Sequence, residues 1–275
     1  MDAKITAKIA EVVKGFKFQG EYIERELYGF GHINDTYATD FRQKDGTILR
    51  YILQRINHEV LIEPEKVMEN ISDITQYMHK VIREAGGDPL RESLNLIPTV
   101  DNQYLHICQD QNYWRAYMFI EGAKAYQIVE NPNHFYNAGK AFGNFQKVLS
   151  NYPVEKLHET IPDFHNTKKR LQALVKAVDE DKVGRSQYVK AEIEFAYNRA
   201  DDASILVDLL DRGKLPLRVT HNDTKFNNVM IDEKTGEGIC VIDLDTVMPG
   251  LSLYDFGDAI RFGASTGKED ERDLS

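Results

Sequence analysis

Residues 217–228 (LRVTHNDTKFNN) carry a histidine, a carboxylate and an amide at H-x-D-x-x-x-x-N spacing, namely His221, Asp223 and Asn228. Fifteen residues after Asn228, an apolar run ends in two acids, Asp243 and Asp245. These residue types suit phosphoryl transfer, a reaction governed by positioning and charge neutralisation. A carboxylate can take the proton of an attacking hydroxyl, which makes Asp223 the candidate catalytic base and acceptor contact. Mg²⁺ takes oxygen donors, keeps some waters and is completed by substrate phosphates, so Asn228 and Asp243 are the candidate metal ligands. His221 is read as ordering the loop backbone rather than moving protons.

The elements that must hold these groups can be read around them. Residues 233–237 (EKTGE) are a turn signal, so 229–232 and 238–242 are expected to pair as a hairpin. A turn centred on Thr235 and Gly236 sets Asn228 opposite Asp243, at the ~4.5–5.5 Å of directly opposed residues. Residues 217–220 complete the pattern of a small sheet among helices. Upstream, 28–36 (YGFGHINDT) lies between two expected strands. Its glycines, Gly29 and Gly31, would let backbone amides approach phosphates, with Asn34 and Thr36 in the same nucleotide-binding set; a plain hairpin turn uses glycines equally well. The next strand, 51–56 (YILQRI), has no lysine to pair with phosphates. Arg55, or else Gln54, stands in for it, unless Arg55 is simply a solvated strand residue.

The chain has 275 residues, 42% hydrophobic and 28% charged, as expected of an ordinary folded enzyme. A net charge of −10 disfavours attraction to nucleic acid or an anionic membrane, and no basic patch with interleaved aromatics is present. No apolar run reaches membrane-spanning length, and two cysteines, Cys108 and Cys240, point to a reducing, cytoplasmic setting. Helical spacing is expected over 1–20, 64–85, 133–149, 167–178 and 187–210, and strands over 23–56, 97–107 and 113–120. Tyr113, Trp114, Tyr117 and Phe119 read as core. The expected architecture is α+β: an N-terminal lobe, 1–120, with a small antiparallel sheet and one helix, a hinge at Gly122, and a larger, mainly helical lobe, 121–275.

With these residues in view, the chain resembles the aminoglycoside phosphotransferase and choline kinase family, which shares the protein-kinase-like two-lobed fold. The resemblance spans nearly the whole length. Residues 29–37 (GFGHINDTY), 51–57 (YILQRIN), 219–228 (VTHNDTKFNN), 242–250 (IDLDTVMPG) and 255–265 (DFGDAIRFGAS) are similar to its sugar-kinase members that act on N-acetylhexosamines. The resemblance implies ATP and Mg²⁺ as cofactors and a sugar as small-molecule acceptor, phosphorylated on its anomeric hydroxyl. It implies Asp223 as base, Asn228 and Asp243 as Mg²⁺ ligands, and 114–122 (WRAYMFIEG), with Met118 and Ile120, as the hinge under adenine. It also implies His32 facing the sugar, Asp245 as a second acid and Asp255 as the acid that steadies the catalytic loop. The triplet at 255–257 (DFG) matches a later family segment, so Asp243 is expected to hold the metal. Relatives continue beyond this point into helices that help close the sugar site, so the acceptor pocket is expected to need chain past Ser275. Choline, an amino alcohol or an aminoglycoside is the alternative acceptor, and a nucleotide-binding module without catalysis is the alternative of another class.

Overall fold

The computed structural model describes residues 3–29, 33–127 and 131–264. Its chain opens with α1 (Ala3–Val12), which buries Ile9 and Val12 and leads through a short 3-10 turn to Phe16. Three strands follow, β1 (Glu21–Leu27), β2 (Asp35–Arg42) and β3 (Ile48–Ile56), each antiparallel to the next. Helix α2 (Pro64–Glu84) starts with proline at its first position, where a missing N–H costs nothing, and buries Val67, Ile71, Ile74, Met78 and Ile82 at helical spacing. Each such side chain, fully buried, contributes about 1.5–3 kcal/mol. A short helix, α3 (Pro89–Glu92), is capped by Asp88, whose carboxylate accepts the Leu90 N–H at 3.0 Å.

The sheet is completed by β4 (His106–Ile107) and β5 (Tyr113–Met118), in the order β1-β2-β3-β5-β4. Of the strand expected over 97–107 only His106–Ile107 forms. Ile97 N–H bonds Ala116 at 2.8 Å, but Pro98 has no donor and Thr99 N–H turns back to Gln103 at 2.7 Å. Registry puts Thr36, Gln54 and Arg115 in one row across three strands, and Asp35, Arg55 and Trp114 in the next. Neighbouring rows point to opposite faces. After β5 the chain passes Gly122, at φ +64°, into β6 (Ala123–Lys124) and then α4 (Pro132–Val148).

Residues 161–218 form a separate compact unit, distinct from the one built by the chain up to Thr160 and from Val219 onward. It contains α5 (Thr167–Glu180), α6 (Lys190–Tyr197) and α7 (Ala200–Asp211). Lys168 pairs with Asp208 at 2.8 Å, joining α5 to α7. The single helix expected over 187–210 is therefore two helices. Arg199 leaves helical backbone at φ −114°, ψ 17°, and its guanidinium bonds the Phe195 carbonyl at 3.1 Å while lying 3.5 Å over the Phe195 ring, which ends α6.

In the larger unit, β7 (Arg218–Thr220) does not join the hairpin as expected. It pairs with β10 (Met248–Gly250), and the Thr220 hydroxyl donates to Met248 O at 3.0 Å. The hairpin is β8 (Val229–Asp232) and β9 (Gly238–Val241), with β6 on its outer side. Its register differs from expectation by one residue. Asp232 N–H bonds Glu237 O at 2.9 Å, which centres the turn between Lys234 and Thr235, and a bulge that skips Ile239 returns part of the shift. Asn228 thus faces Ile242, whose N–H it accepts at 2.9 Å, and Asp243 stands one residue further on. The described chain ends in α8 (Ser252–Gly263). Among the described residues no helix is long and apolar enough to cross a membrane.

Candidate active site

The loop after β7 is held by carboxylates from the first turns of α8. Asp255 accepts the His221 N–H at 3.0 Å with one oxygen and the Asn222 N–H at 2.8 Å with the other. Gln146 of α4 donates to Asp255 at 2.8 Å, and the Thr224 hydroxyl donates to the Asp255 carbonyl at 2.7 Å. One turn later Asp258 accepts the Thr224 N–H at 2.8 Å and is itself bonded by Arg261 at 2.9 Å. Asp223 is therefore bracketed by three pinned amides. Asn222 has φ +67°, a left-handed conformation that asparagine tolerates, and its side-chain amide donates to Thr246 O at 2.8 Å. His221 is fully buried; its Nε2 meets Ile242 O at 2.9 Å and its Nδ1 faces the Asp223 N–H at 3.3 Å. Both ring nitrogens are occupied by backbone, an ordering geometry.

Asn228 turns its Nδ2 toward Asp223, donating to the carbonyl at 2.8 Å and to a carboxylate oxygen at 3.1 Å. That leaves Oδ1 as the acceptor of this side chain. Asp243 sits at φ +59°, ψ 59°, where a non-glycine residue is strained by about 1–3 kcal/mol and persists only if its neighbours hold it. It is exposed to water, although the surrounding protein lowers its solvation. Loss of solvation and the nearby Asp245 carboxylate push the Asp243 carboxyl up to about 6, against the pull of Arg115 and His221. Among the described residues no three His, Cys, Asp or Glu groups form a cage for a metal ion. Asn228 and Asp243 are an oxygen pair, which fits a magnesium ion completed by phosphates and water rather than by protein.

Asp245 is used differently. One oxygen bonds the Arg115 guanidinium and the other accepts from Asn34 Nδ2 at 2.7 Å. Asn34 accepts the Asn57 N–H at 2.9 Å through its other end, so both ends of this amide are engaged. Arg115 donates to Gln54 at 2.8 Å and Gln54 to Thr36 at 2.8 Å, which engages Gln54 and the Thr36 hydroxyl as well. Arg55, in the next row, pairs with Asp35 at 2.6 Å and Asn112 at 3.2 Å, on the face opposite Asp245. It is not brought together with Asp223 and Asp243. Gly29 lies at φ +83° on the β1–β2 connection with open space where a Cβ would stand; Gly31 and His32 lie outside the described residues. At the β5 exit the Met118 N–H is taken by Asn95 O at 2.8 Å and Ile120 is buried.

Three residues of this site were absent from the sequence reading. Arg115 is 1% exposed, the largest fully buried side chain, and its signal was a lone cation inside an aromatic strand. Burial opposes its charge, but Asp245 and the more distant Asp243 outweigh that and hold it more firmly ionised than usual. Lys225 lies 3.4 Å from the Asp223 carboxylate, and the D-T-K spacing was visible. Asp258 had no signal beyond one helical turn's distance from Asp255.

Comparison with known proteins agrees with this fold. Residues 26–273 match the phosphotransferase enzyme family, APH, and the chain belongs to that family. Its fold is that of solved members. Amicoumacin kinase, in complex with AMP-PNP, Ca²⁺ and Ami, aligns at TM-score 0.59 and 12% identity, covering 98% of this chain and 72% of that one. An aminoglycoside phosphotransferase from Alicyclobacillus acidocaldarius aligns at 0.55 and 13%, covering 95% and 71%. Spectinomycin phosphotransferase, in complex with ADP and spectinomycin, aligns at 0.51 and 13%, covering 96% and 81%.

Proposed function

We propose that this chain is an ATP- and Mg²⁺-dependent kinase that phosphorylates the anomeric hydroxyl of an N-acetylhexosamine, giving the sugar 1-phosphate. The observation that carries the phosphotransfer reading is the convergence of Asp223, Asn228 and Asp243 at one end of the β8–β9 hairpin in a chain of the phosphotransferase family. Asp223 takes the hydroxyl proton as the acceptor oxygen bonds the γ-phosphorus and the bond to the ADP oxygen breaks. Lys225, beside Asp223, offsets the charge that develops on the transferring oxygens. Asn228 and Asp243 would hold Mg²⁺, which when bound neutralises phosphate charge.

In this reading residues 1–120 form the nucleotide lobe, with Gly29, Gly31, Met118 and Ile120 toward the nucleotide, and residues 121–275 carry catalysis and the acceptor, with His32 reaching it from the glycine loop. The choice of sugar rests on the resemblance of 29–37, 219–228 and 255–265 to N-acetylhexosamine 1-kinases. A cytoplasmic setting is supported by two free, buried cysteines. A second reading keeps the chemistry and replaces the sugar by another small hydroxylated acceptor, choline, an amino alcohol or an aminoglycoside; the solved relatives named as aminoglycoside and spectinomycin phosphotransferases support it.

A coupled ADP-release assay with ATP and Mg²⁺ separates these, using N-acetylglucosamine, N-acetylgalactosamine, choline, ethanolamine and spectinomycin in turn. Release with the N-acetylhexosamines, abolished when the anomeric hydroxyl is methylated, is expected. Release only with amine-bearing acceptors would overturn the sugar, and nucleotide binding without release on any acceptor would overturn the kinase.

A further inference from the structure

The turn 244–246 and the residue after it are gripped from three sides. From the catalytic loop, Asn222 Nδ2 donates to Thr246 O at 2.8 Å and the Thr246 hydroxyl donates to His221 O at 2.7 Å. From β5 of the five-stranded sheet, Arg115 bonds one Asp245 oxygen, and Asn34, just before β2, bonds the other. Helix α2 adds a third grip, Asn70 Nδ2 to Val247 O at 3.0 Å. Asp243 begins this turn in left-handed backbone, a conformation that needs such over-determination.

We propose that Arg115 is a positioning residue of the phosphoryl-transfer site, acting through Asp245 to hold Asp243 beside Asn228 as a metal ligand, in a chain whose sheet has no lysine at the usual place. The proposal rests on the phosphotransfer reading above and is independent of which acceptor is used. Arg115 is too deeply buried to touch a phosphate, so it acts through its partner. Its fork has an assigned use in each direction: Asp245 on one side, Gln54 at 2.8 Å on another, with the Met68 sulfur at 3.8 Å and the Tyr117 ring at 5.4 Å closing the shell. Because Asp245 has spent its oxygens on Arg115 and Asn34, it is the support of the metal loop, and Asp243 is left as the free carboxylate. A carboxylate held this way changes metal affinity when its support is removed, by about 10–100-fold in comparable outer-shell variants.

The test is Mn²⁺ binding read by electron paramagnetic resonance in the presence of AMP-PNP, together with kcat and KM, for wild type, Arg115→Met, Arg115→Lys and Asn34→Ala. Arg115→Met should weaken nucleotide-dependent Mn²⁺ binding about 10-fold or more and lower kcat in parallel, with acceptor KM little changed. Arg115→Lys should recover part of both, and Asn34→Ala, which removes the second grip together with the bond from the Asn57 N–H, should move both in the same direction by less. Should Arg115→Met fail to fold, the Lys and Asn34 variants decide the matter by the same readouts. Folded variants that bind Mn²⁺ within twofold of wild type would overturn the proposal while leaving the kinase reading intact. Wild type that binds no Mn²⁺ with nucleotide would overturn that reading and the proposal with it.

Discussion

Asp255 Oδ1 accepts the Asn222 backbone N–H at 2.8 Å across a separation of 33 residues, while its other oxygen accepts the His221 N–H at 3.0 Å. One buried carboxylate thus fixes the two peptide groups that precede the candidate base. Asp255→Ala should leave both amides buried without partners, at about 1–3 kcal/mol each. Urea unfolding should show a loss of roughly 2–6 kcal/mol. Asp255→Asn, which keeps one acceptor oxygen, should lose less. Equal stability of all three proteins would mean that the loop finds other partners.

The pairing of β7 with β10 depends on a glycine. A Cβ at Gly250 would stand 2.3 Å from Thr220 Oγ1, the atom that bonds Met248 O, so the alanine variant must push the strands apart. Gly250→Ala should cost about 1–3 kcal/mol. Gly257 on α8 has nothing within 4 Å of its Cβ position, and Gly257→Ala should raise stability by up to about 1 kcal/mol through helix propensity. Thermal melts of the pair check the contrast, and a destabilised Gly257→Ala would contradict it.

Asp243 gives the metal-free protein a pH dependence of known sign. Its carboxyl is raised in the folded chain, so folding favours the protonated form. That contribution is present below the unfolded value and is lost as pH rises toward about 6. In EDTA, the advantage of Asp243→Asn over wild type should therefore grow between about pH 4 and pH 6 and then level off. An advantage that shrinks over this range would contradict the environment described for Asp243.

Burial pushes the Cys240 thiol up to about 12, and it raises Cys108 as well. The thiolate is the reactive form, so neither should react rapidly with Ellman's reagent at pH 8 in the native protein. Both should react once the chain is unfolded in guanidinium. A fast native thiol would show that one of the two is accessible.

How far the sequence could be read follows from the range of its interactions. H-x-D-x-x-x-x-N and the acid-ending run are local patterns, so Asp223, Asn228 and Asp243 were legible as candidates. Their alignment across the hairpin was not fully legible, because a bulge at Ile239 leaves no mark in an apolar strand. Helix α2 was legible from its stripe, whereas the break at Asn198 and Arg199 depends on where one guanidinium folds back. Arg115 was missed because its meaning lies 130 residues away, at Asp245. Arg55 was favoured over it by strand position, and registry sent Arg55 to the other face.

The central claim is that Asp223 takes the proton of an acceptor hydroxyl during phosphoryl transfer. Transfer of ³²P from [γ-³²P]ATP to N-acetylglucosamine or N-acetylgalactosamine, by wild type and by Asp223→Asn at matched folding, tests it most directly. The account predicts a labelled sugar phosphate with wild type and a rate about 10²–10⁴-fold lower with the variant. Undiminished transfer by Asp223→Asn would contradict it.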